Sequence, residues 1–380
     1  MVDIRRPAYP ELPAGIRSEI INNSNGLNVN FLEAGFEEQG RHCVLLLHGF
    51  PELAYSWRKI IVPLATQGYH VIAPDLRGYG ATTGWSDDFE GALDKFSFSN
   101  LLKDNIGLLS ALGHHSCSVV GHDFGSPVAA YSTLARPDIF KSVVLMSAPF
   151  SGVPQPQGTG RPDKSAEDDI HNALANLSPP RKHYQWYYSS RGANDEMVNC
   201  SQGMFEFLRA YYHHKSADWQ GNQPHPLASW SAPELAKLPT YYVMNLEQTM
   251  PETVEKEMPS AEQIRQCRWL TDKELRFYAD TYSSTGFQGG LQHYRVTTSG
   301  RFATELQEFL GHTIDVPSAF IAGNNDWGIY QKPGALEAMK QTALTNMRGC
   351  HLIENAGHWV QQEQPEAVSR ILIDFLSNAL

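Results

Sequence analysis

The stretch "CSVVGHDFGSPVAAY", residues 117–131, decides the fold. It reads as an apolar strand, a tight Gly-x-Asp-x-Gly turn and the start of a helix. A turn of this kind pushes its central residue out at the carboxyl end of the strand. In the related pattern G-x-S-x-G that residue is a nucleophilic serine. Here it is Asp123. The candidate nucleophile is therefore a carboxylate, and the rest of the chain has to explain why.

Other short apolar runs flank this one: "CVLLLHG" (43–49), "HVIAPD" (70–75) and "SVVLMSA" (142–148). Continuous runs suit strands of a parallel sheet buried on both faces. "NVNFLEA" (28–34) alternates weakly, as an early edge strand would. Between the runs, residues 98–112 place Phe98, Leu101, Leu102, Ile106, Leu109 and Leu112 on one helical stripe. Residues 126–135 predict a second helix, ended before Pro137. Alternating strands and helices imply an α/β fold with a mostly parallel, doubly wound sheet. The alternation stops after Pro149 and returns at "VPSAFIAGNND" (316–326). "GCHLIENAGH" (349–358) supplies a last strand, and a helix over 363–378 closes the pattern. The expected organisation is a core in two parts, 1–150 and 301–380, interrupted by a mostly helical cap over 151–300 with little strand signal. "SGVPQPQGTGRP" opens that cap, and aromatic and histidine residues cluster within it.

The 380 residues are 42% hydrophobic and 19% charged, enough for a core and too few charges for a disordered chain. A formal net charge of −11 argues against general affinity for nucleic acid or anionic membrane. The five cysteines lack C-x-x-C spacing, so neither a disulfide framework nor a zinc site is expected, and Cys43 and Cys117 read as small core residues. The histidine pairs His114–His115 and His213–His214 also lack ligand spacing, and read as solvated loop residues. No apolar leader, membrane span or organelle address stands out, which makes a cytoplasmic enzyme the expectation. Oligomeric state is left open.

Asp123, Asp326 and His358 follow the order nucleophile, acid, histidine of the α/β-hydrolase fold. Asp326 follows the strand "SAFIAG" and His358 follows "HLIENAG", both at strand ends where open α/β sheets place their chemistry. In this fold two backbone N–H groups form an oxyanion hole. One belongs to the loop that follows the strand in "LLLHGFPE" (45–52) and one to the residue after the nucleophile, here Phe50 and Phe124. His48, Pro51 and Trp359 border these positions and are pocket candidates, and the Phe50–Pro51 bond is a candidate for cis. His48 is expected to be structural, since His358 already fills the base position. Asp75 and Arg77 in "PDLRGYG" are expected to hold a turn.

With these residues placed, the chain resembles the soluble epoxide hydrolases of the α/β-hydrolase fold. The similarity runs from about residue 25 to 378, through "HGFPELAYSWR", "PDLRGYG", "GHDFG", "HYQWYY", "GGLQHYR", "AGNNDW" and "AGHW". The first and third of these are shared with haloalkane and haloacetate dehalogenases. The resemblance implies two cap tyrosines that grip an epoxide oxygen: Tyr184, followed by glutamine, and Tyr294, followed by arginine. Tyr187 stands next in line for the first. Many members carry tryptophan after the nucleophile, whereas this chain has Phe124, which removes an indole N–H that a halide would use.

The carboxylate now has a purpose. An epoxide carbon must be attacked from behind, and a carboxylate can do this without a base. The product is an alkyl ester of Asp123, whose carbonyl water can then attack. A serine ether would have no carbonyl and would be a dead end. Water and a small-molecule epoxide substrate are the expected partners, with no metal or organic cofactor. The competing readings are a dehalogenase using the same Asp-His-Asp set, with Trp57, Trp186 or Trp359 as halide donors, and a binding protein of the same fold without turnover.

Overall fold

A computed structural model describes residues 8–22, 25–154, 164–300 and 305–379. Ten strands form two sheets among these residues. Eight make the main sheet: β1 (Arg17–Asn22), β2 (Asn28–Ala34), β3 (Cys43–Leu47), β4 (His70–Pro74), β5 (Cys117–His122), β6 (Phe140–Met146), β9 (Ser318–Gly323) and β10 (Met347–Ile353). Their spatial order is β1-β2-β4-β3-β5-β6-β9-β10. β1–β2 and β2–β4 pair antiparallel, and every other neighbour pair is parallel.

The inner strands β3, β4, β5 and β9 are buried along their length because helices cover both faces, whereas the edge strand β10 is largely exposed. In β3 every residue of "CVLLL" is buried. Leu45 and Leu47 join one apolar cluster, while Val44 and Leu46 join the other. The period-two alternation thus feeds two cores. One core lies under the helices Arg58–Ala65 and Pro365–Ala379. The other continues into the inserted helices. The helices predicted over 98–112 and 126–135 form as Phe98–Ala111 and Gly125–Ala135. The closing helix is divided at Gln364 into Val360–Glu363 and Pro365–Ala379, where proline starts the second segment.

Between β6 and β9 the chain is mostly helical. Thr249 with Glu252, Ser260 with Gln263 and Thr271 with Glu274 form capping boxes that start three of these helices. The insertion also holds one short ladder, in which β7 (Arg181–His183) and β8 (Val243–Asn245) pair antiparallel. Three-residue strands are too short to show alternation in sequence. From residue 155 to 163, the Pro/Gly-rich opening lies outside the described residues.

The inserted helices are tied to the sheet by specific bonds. Tyr212 donates to Pro51 O at 2.8 Å and Tyr282 to Glu52 O at 3.1 Å. The Arg58 guanidinium donates to Glu274 at 2.8 Å. The peptide bond Phe50–Pro51 is cis.

Candidate functional site

Asp123, Phe50, Asp326 and His358 all stand just beyond the carboxyl ends of parallel strands, after β5, β3, β9 and β10. The turn at Asp123 is sharp. Its φ is +51°, a left-handed conformation that costs a non-glycine residue on the order of 1–3 kcal/mol. Glycines make the turn possible. A Cβ at Gly121 would strike Gly125 O, and one at Gly49 would strike the Asp123 side chain itself. The strain aims the carboxylate at the groups around it. Asp123 Oδ1 accepts the Phe50 N–H at 2.9 Å. Oδ2 stands 3.2 Å from His358 Nε2.

His358 is oriented from its other nitrogen. Nδ1 lies 3.1 Å from Asp326 Oδ1 and 3.0 Å from Ser147 Oγ. Asp326 Oδ1 also accepts Gly328 N–H at 2.7 Å, and Oδ2 accepts the Ser147 hydroxyl at 2.5 Å. Burial would raise the Asp326 carboxyl, but the His358 charge and these hydrogen bonds hold it below its usual value. Burial works against Asp123 in the same way. The neighbouring His358 ring, with the charges of Lys215 and His122 beyond it, pulls that carboxyl far down instead. Both carboxylates are therefore ionised near neutral pH.

The two cap tyrosines named by the resemblance come together over this site. Their rings lie 5.9 Å apart, and Tyr294 packs edge-on against Phe50 at 5.5 Å. The Tyr184 hydroxyl donates to Gln331 Oε1 at 3.2 Å and accepts from Gln185 Nε2 at 3.3 Å. Burial, then the charge of Asp123, pushes both phenols up, so both keep their protons. Tyr187 faces elsewhere, beside Lys182 and Tyr188. Phe124 begins the helix after the turn, its ring 4.7 Å from His293 and 6.5 Å from Tyr294.

The pocket candidates divide. His48 has both ring nitrogens on backbone: Nε2 accepts Leu76 N–H at 3.0 Å and Nδ1 donates to Gly49 O at 2.8 Å. It braces the loop that carries Phe50. Pro51 contributes its carbonyl to Tyr212. Trp359 packs 4.6 Å from the His358 ring, and its indole N–H is taken by Tyr212 O at 2.8 Å. Trp57 packs in the cluster on the sheet's other face, and Trp186 sits against His171 and His183. Asp75 accepts from Ala54 N, Ala81 N and Asn30, which fixes its turn, and Arg77 pairs with Asp104.

Other residues at the site went unread in the sequence. Ser147 is one; it follows β6 at a strand end and has φ +68°, so the strand-end rule could have found it. Glu52 and His122 are both fully buried and meet at 2.6 Å, and His122 Nε2 donates to His358 O at 2.7 Å. Both lie inside the motifs "HGFPE" and "GHDFG". Glu363 accepts N–H bonds from Gly357 and Trp359, on either side of His358, and from Ala217. His213 and His214, expected in solvent, are buried on the helix Gly203–Lys215, where aromatic neighbours enclose His214. Among the described residues no group of three or more His, Cys, Asp or Glu side chains could hold a metal ion.

The geometry is shared with known proteins. A family model for the alpha/beta hydrolase fold matches residues 43–169. Epoxide hydrolase B of Mycobacterium tuberculosis is 31% identical over 94% of this chain and 97% of its own length. Epoxide hydrolase A of the same organism is also 31% identical, over 96% of this chain and 98% of its length. The structure of an epoxide hydrolase from an endophytic Streptomyces superposes with a TM-score of 0.74 at 29% identity, covering 96% of both chains. With such identity along nearly the full length of both partners, this chain belongs to the epoxide hydrolase family of the α/β-hydrolase fold.

Proposed function

We propose that the chain opens epoxides to vicinal diols through a covalent ester on Asp123. The observation that carries this reading is the relation between Asp123 and His358. The nucleophile is an ionised carboxylate whose Oδ2 stands 3.2 Å from His358 Nε2. A carboxylate needs no base to attack carbon, so Nε2 is left for water. In the first step Asp123 attacks an epoxide carbon, the carbon–oxygen bond breaks, and the electron pair goes to the ring oxygen. Tyr184 and Tyr294 donate hydrogen bonds to that oxygen, and one of them supplies its proton. In the second step His358 takes a proton from water as the water attacks the ester carbonyl. Asp326 orients the ring and stabilises its cation. The N–H groups of Phe50 and Phe124 hold the oxyanion, worth about 3–4 kcal/mol for one such donor. The carbonyl–oxygen bond then breaks, the leaving alkoxide takes the proton left on the new carboxyl group to become the diol, and the proton held by His358 returns to the tyrosinate, restoring Asp123, His358 and the tyrosine. No step calls on a metal or organic cofactor.

The aromatic lining around Tyr184 and Tyr294 favours apolar epoxides. Diol formation from a panel that includes styrene oxide and a long-chain fatty epoxide tests the reading, with halide release from haloalkanes and haloacetate measured beside it. Turnover of the halides without diol from any epoxide would put a dehalogenase in its place. Binding of epoxides without turnover of either class would make the chain a binding protein.

A further inference from the structure

Lys215 ends the helix Gly203–Lys215 and is 3% exposed. Its ammonium is enclosed by four aromatic rings, with Tyr242 at 5.1 Å, Trp359 at 5.3 Å, Tyr211 at 5.6 Å and Tyr241 at 5.8 Å. Among the described residues it makes no ion pair and no side-chain hydrogen bond. A buried ammonium without such a partner opposes folding, and ring faces recover only part of the loss. An apolar side chain of the same length would fill the cage without that cost. The fold does not need the charge.

The candidate site does. The Lys215 carbonyl accepts the backbone N–H of His358 at 2.9 Å, so the cage is fastened to the loop that carries the base. Trp359, one wall of the cage, is the next residue and packs on the His358 ring. Burial lowers the affinity of Lys215 for its proton, and the charges of Asp123, Asp326 and Glu52 act to restore it. His358 in turn is faced by Asp123 and Asp326, by the Trp359 ring with the Lys215 ammonium on it, and by the His122 ring at 5.1 Å with Glu52 behind it; Glu363, which accepts the N–H groups on either side of His358, is pushed up to about 8 by burial and is largely protonated near neutral pH. Glu52 and His122 form a pair and largely cancel. Two carboxylates and one ammonium remain around the base. Once Asp123 is esterified its charge is gone. Asp326 on Nδ1 and the ammonium of Lys215 are then the opposed charges left beside the base.

We propose that Lys215 is a positioning residue for ester hydrolysis: its caged ammonium offsets Asp326 in the alkyl-enzyme and keeps His358 free to take a proton from water. This inference rests on the ester route proposed above. It explains why a lone cation is buried beside the base, and why the cage is built from Tyr211, Tyr241, Tyr242 and Trp359 rather than from carboxylates. A salt-bridge partner would cancel the charge before it reached His358.

The test follows hydrolysis of the alkyl-enzyme in single turnovers across pH, in the parent protein, Lys215→Met and Lys215→Arg. A base works only while unprotonated, so hydrolysis falls as pH drops. With the opposing cation removed, that fall should begin at higher pH. The acid limb of Lys215→Met should move up by about one pH unit, with hydrolysis about tenfold slower below it. Lys215→Arg keeps the charge and should keep the limb near its parent position. Lys215→Met should also melt at higher temperature than the parent, since an unpaired buried charge is gone. An unmoved limb in folded Lys215→Met, or the same displacement in Lys215→Arg, would overturn the proposal. If Lys215→Met does not fold, Lys215→Gln carries the same measurement. Failure of both to fold would make Lys215 a structural residue and overturn the proposal too. If no alkyl-enzyme forms in the parent protein, the ester route itself is wrong. If it forms and its hydrolysis ignores Lys215, only the role of Lys215 fails.

Discussion

His358 donates its backbone N–H to the carbonyl of Lys215 at 2.9 Å, so the loop after the last strand of the sheet is held by the last residue of an inserted helix. Gly357 makes the approach possible, because a Cβ there would lie 2.6 Å from Lys215 O. Glu363 reinforces the seam by accepting from Ala217 on one side and from Gly357 and Trp359 on the other. The insertion therefore helps to hold the loop that carries His358 as well as covering the candidate site. Damage to the seam should appear as altered chemistry before it appears as unfolding.

The ester route makes a direct isotopic prediction. In a single turnover with enzyme in excess and heavy-oxygen water, the first diol should carry unlabelled oxygen from Asp123. The label should enter the protein, and mass spectrometry of the peptide containing Asp123 would find it. Label in the first diol would mean that water attacks the epoxide itself.

His358→Gln should separate the two steps. Asp123 attacks without a base, so one equivalent of epoxide should be consumed and the protein should keep a stable mass increase. Glutamine can still hydrogen-bond Asp326 but cannot accept the proton of water. A variant with neither burst nor adduct would remove His358 from the second step.

The pair Glu52–His122 predicts a pH-dependent contribution to stability. Burial opposes ionisation of Glu52, but the charge and hydrogen bond of His122 bring its carboxyl below the usual value. Burial likewise opposes protonation of His122, but Glu52 raises it above the usual value. The Glu52 contribution is present above the unfolded carboxylate value and is lost as pH falls through the folded one. The His122 contribution is complete below the unfolded imidazole value and is lost as pH rises through the folded one. Both act fully between about pH 4.5 and 6.5. Glu52→Gln should cost about 3 kcal/mol in that window, because His122 is left buried without a counter-charge. Urea unfolding at pH 5.5 and pH 9 should show a smaller loss at the higher pH. Equal losses would mean the pair is not ionised.

Much of this was legible in the sequence, for a physical reason. Strands buried on both faces read as continuous apolar runs, so the ends of "SVVGHD" and "SAFIAG" mark where side chains emerge at the sheet's working edge. Asp123, Asp326 and His358 could be placed there before any coordinates. Contacts between distant segments could not. Lys215 meets His358, and Glu52 meets His122, only once the chain is folded, and no local pattern announces either. The buried pair His213–His214 was misread because the helix Gly203–Lys215 is covered nearly all round, which erases the polar face that periodicity relies on. Tyr184 and Tyr294 are separable from the other cap tyrosines by resemblance alone, because tyrosines that pack and tyrosines that line the site look the same in sequence.

Tyr184 and Tyr294 should act together when the ring opens. Their rings lie 5.9 Å apart, and the charge of Asp123 adds to burial in keeping both phenols protonated. Charge leaves Asp123 as the epoxide oxygen gains it, so these hydrogen bonds strengthen toward the transition state. Tyr184 must first give up Gln331, which now accepts its proton at 3.2 Å. Tyr294 forms no such bond to Gln331, so its loss should cost the alkylation step somewhat more. Tyr184→Phe or Tyr294→Phe should slow alkylation on the order of 100-fold, the effect of removing one oxyanion donor. Either tyrosine can still serve alone. The double variant leaves charge growing in an apolar pocket with no side-chain donor, and should fall far below both. Ester hydrolysis should change little, because its donors are the Phe50 and Phe124 N–H groups. Stopped-flow resolution of the two steps decides the matter. Wild-type alkylation in both folded single variants would remove the tyrosines from the chemistry and return the dehalogenase reading to the front.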